Sequence, residues 1–114
     1  MTAAARMSED GPGGVEEHLR RYLKDFGLGL AYHPWKLHAQ KAREGYPDWT
    51  IAGPGGLIFR ELKRQNREPT GAQEKWLVEL HAAGQDVGVW KPCCVHSGRM
   101  ASELGAVATA RWRS

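Results

Sequence analysis

Apolar side chains recur at helical spacing at Val15, Leu19, Tyr22, Leu23 and Phe26, which predicts an amphipathic helix over 15–26 stopped near Gly27. Leu28 to Tyr32 has strand composition, its start blurred by Gly27 and Gly29, and His33-Pro34-Trp35 closes it. From Lys36 to Gly45 no clean period survives, so this stretch reads as a loop or short helix. Two apolar runs then flank the turn Ala52-Gly53-Pro54-Gly55-Gly56: Asp48-Trp49-Thr50-Ile51 before it and Leu57-Ile58-Phe59-Arg60-Glu61-Leu62-Lys63 after it, the pattern of a β-hairpin. A polar stretch, Arg64 to Pro69, leads to Thr70 and Gln73 at capping-box spacing. The helix they open runs to about Ala83, with Trp76, Leu77, Leu80 and Ala83 as its buried stripe and Gly84 as its stop. Val87, Val89 and Trp90 predict another strand closed by Pro92, and a final helix is expected over 96–107. A helix lying between two strands implies a crossover, with the last strand parallel to the second arm of the hairpin. The expected fold is therefore α/β, a mixed sheet of about four strands flanked by helices, in one domain over 15–107 between a flexible tail (1–14) and a C-terminal tail (108–114).

Parity along the hairpin brings chemistry into the picture. Side chains alternate along a strand, so Glu61 and Lys63 project from one face while Ile58 and Leu62 anchor the other in a core. Asp48, thirteen residues before Glu61, starts the partner strand and is expected to lie beside it. Two carboxylates forced together repel unless a cation sits between them. Mg²⁺ prefers oxygen donors and is commonly held by one or two carboxylates plus substrate phosphate. Lys63, on the same face, is then placed to position or deprotonate a water and to offset charge at a phosphorus centre. The kit is that of a Mg²⁺- or Mn²⁺-dependent phosphodiesterase, with Asp48 and Glu61 as metal ligands, the Leu62 carbonyl as a further candidate ligand, and Lys63 acting on the water.

Pro47-Asp48 and Glu61-Leu62-Lys63 resemble the signature of the PD-(D/E)XK nuclease superfamily. The order of Gly45-Tyr46-Pro47-Asp48, Phe59-Arg60-Glu61-Leu62-Lys63, Thr70-Gly71-Ala72-Gln73 with Trp76-Leu77, Leu80-His81-Ala82-Ala83-Gly84 and Val87-Gly88-Val89-Trp90-Lys91-Pro92 is similar to its virus-type replication-repair (VRR-NUC) branch. That resemblance implies a restriction-endonuclease-like core and a metal-dependent DNA endonuclease leaving 5′-phosphate and 3′-hydroxyl ends. It also implies a homodimer acting on branched DNA such as a four-way junction, in repair, recombination or phage replication. It places a metal-binding acid on the first helix, at Glu16 or Glu17; helical geometry puts Glu16 beside the apolar stripe and Glu17 toward solvent. Gln73 has two possible tasks: satisfying the helix terminus, or pointing into the site as a glutamine does in the resembled nucleases. The chain departs from the pattern in two places, with Cys93-Cys94 where Ser-Asp is usual after the proline and Arg67 where a glycine is usual after the E-x-K strand.

Composition narrows the classes. With 114 residues, 41% hydrophobic and 25% charged, the chain has the make-up of one small globular domain, and no apolar run approaches a membrane span. Adjacent Cys93 and Cys94 do not make a loop-closing disulfide framework, and with His96 they lack the paired Cys-x-x-Cys of structural zinc sites. Free thiols in a reducing cytoplasm, that of a bacterial or phage-infected cell, are expected. Net charge is +3, yet between His33 and Arg67 seven basic residues (Lys36, Lys41, Arg43, Arg60, Lys63, Arg64, Arg67) stand against three acidic ones. Phosphate favours such a stretch. Lys36, Lys41 and Arg43 make a candidate DNA-contacting loop, joined by Arg64 and Arg67, while Trp35, Trp49 and Trp112 are candidates for a subunit interface. Two rival readings remain: a catalytically silent nucleic-acid-binding module on the same scaffold, and a nuclease of the same chemistry with RNA or restriction targets.

Overall fold

Two neighbouring charged residues, Arg60 and Glu61, are both buried, and because they are consecutive on a strand they enter opposite sides of the sheet. The fold is built around that division. The structure, a computed structural model, describes residues 12–33 and 44–110. Strands Leu30–Tyr32 (β1), Trp49–Gly53 (β2), Gly56–Leu62 (β3) and Asp86–Trp90 (β4) form one sheet in the order β1-β2-β3-β4. The first two pairings are antiparallel and β3 with β4 is parallel. Helices are Pro12–Asp25 (α1), Gly71–Ala82 (α2), Pro92–His96 (α3) and Arg99–Ala108 (α4). The α/β class, the four-stranded mixed sheet and the parallel crossover through α2 all follow the reading of the sequence. None of these helices is long and apolar enough to cross a membrane.

Side chains from α1 (Val15, Leu19, Leu23), α3 (Cys94, Val95) and α4 (Met100, Leu104, Val107) close on Trp49, Ile51, Ile58, Leu62 and Trp90 of the sheet as one core. Replacing an enclosed side chain such as Leu19 or Leu104 by alanine costs about 2–5 kcal/mol. The hairpin turn lies on the C-terminal end of α4. A Cβ at Gly55 would sit 1.9 Å from the Ala106 carbonyl oxygen, and one at Gly53 would sit 2.5 Å from that of Val107. The Gly55 N–H donates to the Val107 carbonyl at 2.7 Å, satisfying one of the acceptors that a helix end leaves over.

Several expectations are corrected. The first helix begins at Pro12, within the stretch read as a tail, and Phe26 falls just beyond its end, 37% exposed. The final helix expected over 96–107 is found at Arg99–Ala108, and a short helix absent from that expectation, α3, precedes it, starting at Pro92, whose missing N–H suits a first helical position. Gly98, at φ +86°, turns the chain into α4. Helix α2 buries no residue fully: Trp76, Leu77 and Leu80 are half-buried, Ala83 is an exposed cap, and Val78 is 57% exposed. Among the described residues, α2 is the helix on that face of the sheet. Trp49, read as a possible interface residue, is in the core at 3% exposure.

Arg60, counted above among phosphate-seeking residues, is instead the charged centre of the helix-covered face. It donates to both the carbonyl and the carboxylate of Asp86 (3.1 and 2.9 Å), to Glu103 through two nitrogens (3.2 and 3.0 Å) and to the Phe59 carbonyl (2.9 Å). All five guanidinium N–H groups thus have acceptors, which is what a buried arginine requires. Its guanidinium carbon lies over the Trp90 ring, 5.2 Å from the centroid.

Candidate active site

The β2–β3 register pairs Trp49 with Arg60 and so brings Asp48, the residue before β2, opposite Glu61. The two acids interlock through each other's backbone. The Asp48 N–H donates to Glu61 Oε1 at 3.2 Å, and the Leu62 N–H donates to Asp48 Oδ2 at 2.9 Å. Glu61 is 2% exposed, a carboxylate that must be held by donors or a cation. The segment carrying Asp48 is fixed by what precedes it. Gly45, at φ +86°, is pressed so closely on α2 that a Cβ would meet the Ala72 backbone at 2.4 Å. Tyr46 sets its ring edge-on to Trp76, the Trp76 indole donates to the Glu44 carbonyl at 3.1 Å, and Pro47 is fully buried. The run Gly45-Tyr46-Pro47-Asp48 is thus a clamp between hairpin and helix.

Lys63 continues the β3–β4 pairing by one bond, its N–H donating to the Trp90 carbonyl at 3.0 Å, and its ammonium stands 4.0 Å from Glu61 Oε2. Gln73 caps the helix and also reaches Glu61. Its Oε1 accepts from the Thr70 N–H at 2.9 Å while the Thr70 hydroxyl accepts from the Gln73 N–H at 3.3 Å, a complete capping box. Its Nε2 donates to Glu61 Oε2 at 2.5 Å. A carboxylate accepts and an N–H donates, so these partners fix the orientation of the amide.

Glu16 lies elsewhere. Its carboxylate accepts from Arg20 (3.0 and 2.8 Å) and stands 4.0 Å from His33 Nε2. His33, which strand alternation and motif order do not single out, is a further functional candidate: its Nδ1 is 2.7 Å from the Asp48 carbonyl oxygen. The signal was register. Pairing of Tyr32 with Thr50 sets residue 33 across from 49, and the His33 ring stacks on Trp49 at 4.8 Å and 7°. Arg64 and Arg67 are exposed on the turn after β3; Lys36, Lys41 and Arg43, like Trp35 and Trp112, lie outside the described residues. Among the described residues no three His, Cys, Asp or Glu side chains are grouped to hold a metal ion. Glu16 therefore does not make a third acid with Asp48 and Glu61, and Cys93, Cys94 and His96 form no such cluster; both thiols are free, Cys93 exposed and Cys94 buried.

The arrangement offers two fixed carboxylates with hard oxygen donors, an ammonium on the same side and an amide that steadies the more buried acid. Searches against protein-family models, curated proteins and solved structures return no significant match to this chain.

Proposed function

We propose that this chain is a metal-dependent endonuclease that hydrolyses DNA phosphodiesters, with branched DNA such as a four-way junction as its substrate class and a homodimer as its working form. The observation that carries the reading is the interlock of Asp48 with Glu61 beside Lys63 and Gln73. The donor set fits Mg²⁺ or Mn²⁺: two carboxylates, one of them buried, with the Leu62 carbonyl on the same strand end as a further oxygen. The order of motifs resembles VRR-NUC nucleases, and a four-stranded mixed sheet with a parallel β3–β4 crossover is compatible with a PD-(D/E)XK core.

A divalent cation, when bound, supplies Lewis acidity to an attacking water and offsets phosphate charge. Asp48 and Glu61 hold it, their carboxylates pre-set by backbone N–H groups so that little side-chain freedom is lost on binding. Lys63 orients the water with its N–H donors and brings positive charge to the phosphorus centre as negative charge grows there. Gln73 keeps Glu61 in place. Arg64 and Arg67, with Lys36, Lys41 and Arg43, attract the backbone of the substrate.

The test is cleavage of a labelled four-way junction, linear duplex, flap and single strand with Mg²⁺, Mn²⁺ or EDTA. Asp48→Asn is the better variant at that position because an amide oxygen still accepts from the Leu62 N–H. Cleavage is expected with either metal, to vanish in EDTA, and to fall about 10²–10⁴-fold in Lys63→Ala. Activity surviving Asp48→Asn sinks the mechanism, binding without cleavage favours the silent module, and equal cutting of all four substrates removes the preference for branches.

A further inference from the structure

We infer that His33 is a positioning residue for Asp48, braced from α1 by Glu16 through Arg20 and Trp49; the inference rests on the nuclease reading. A carbonyl oxygen only accepts, so the 2.7 Å contact between His33 Nδ1 and the Asp48 carbonyl makes Nδ1 the donor. Three of the bonds that tie Asp48 lie among the described residues. Its N–H goes to Glu61, its carboxylate accepts from Leu62, and its carbonyl accepts from His33. Removing the third tie frees the peptide that follows Asp48, and with it the direction in which the carboxylate is presented.

The ring of His33 is itself held. It stacks nearly parallel on Trp49, and the Arg20 guanidinium lies 5.0 Å from the centroid of that indole. Arg20 is gripped by Glu16 through two hydrogen bonds, and Glu16 Oε1 stands 4.0 Å from His33 Nε2, closing the loop. The acid on the first helix thus reaches the site through its neighbours, at the carbonyl side of Asp48. Partners of this kind, which orient a ligand without touching the metal, typically change metal affinity by about 10–100-fold when removed.

Three variants of the full chain separate this role from simple packing. His33→Phe keeps a ring against Trp49 and loses the donor; His33→Asn loses the ring and keeps an N–H at the Nδ1 position; Glu16→Gln, at a half-exposed site, leaves the core untouched. Mn²⁺ binding is measured by titration calorimetry, with the urea midpoint as a control on folding. Mn²⁺ affinity is expected to fall about 10–100-fold in His33→Phe, to fall less in Glu16→Gln, and to recover in His33→Asn. Unchanged affinity in both His33→Phe and Glu16→Gln overturns the inference, as does a loss in His33→Asn equal to that in His33→Phe. A wild-type chain that binds no Mn²⁺ overturns the nuclease reading itself, a result distinct from either.

Discussion

Gln73 shows how much one side chain carries here. Its oxygen closes the capping box and its nitrogen holds Glu61, so two substitutions divide the work. Thr70→Ala removes the threonine half of the box and is expected to cost about 1 kcal/mol. Gln73→Ala removes the glutamine half of the cap and also takes a donor from a buried carboxylate, adding about 1–3 kcal/mol. Urea midpoints of the two variants check the difference. The capping half was legible because its spacing is local. The Glu61 half depends on where a strand ends relative to a helix, and only the fold supplies that. Arg60 teaches the reverse: its charge was visible, while its partner Glu103 lies 43 residues away in the chain, on α4.

Among the elements, the hairpin was the most readable, because alternation from Ile58 to Lys63 fixes which side chains share a face whatever the rest of the chain does. Its turn was read as a turn and nothing more. The glycines are needed because the chain there rests on α4, a contact that no local pattern encodes. Gly55→Ala is expected to destabilise by about 1–3 kcal/mol as the added methyl drives the turn off the helix end. Thermal or urea unfolding checks it, and an unperturbed midpoint would mean that the turn moves freely over α4. The short helix α3 is hard to read from the chain for a related reason: Pro92 both ends β4 and opens α3, and the two uses look alike in a sequence.

At the scale of the whole molecule, Glu103 joins β3, β4 and α4. It accepts from Arg60, from the Trp90 indole at 2.8 Å and from Arg99 at 2.8 Å. Burial works to raise its pKa, but hydrogen bonds from Arg99 and Trp90 and the charge of Arg60 outweigh it and hold the carboxyl below its ordinary value of 4.5. A carboxyl depressed on folding contributes stability that is present above 4.5 and lost as pH falls through its lower native pKa. Urea midpoints taken from pH ~6 down to pH ~3 should therefore fall, and fall less steeply in Glu103→Gln, which is already weaker at neutral pH. The class, the strand count and the parallel crossover were legible because periodicity and chain order determine them. The overestimate of α2 has its own reason: Trp76, Leu77 and Leu80 have core composition, yet among the described residues α2 is the helix on the face they meet. That helix is held at its first turn by Gly45 and the cap and at its second by Trp76, whose indole donates to the Glu44 carbonyl, and it leaves Val78 in water. Gln73, in that first turn, ties the helix to Glu61, so any coupling between a ligand at that carboxylate and the seating of the helix is reciprocal, each favouring the other by the same free energy.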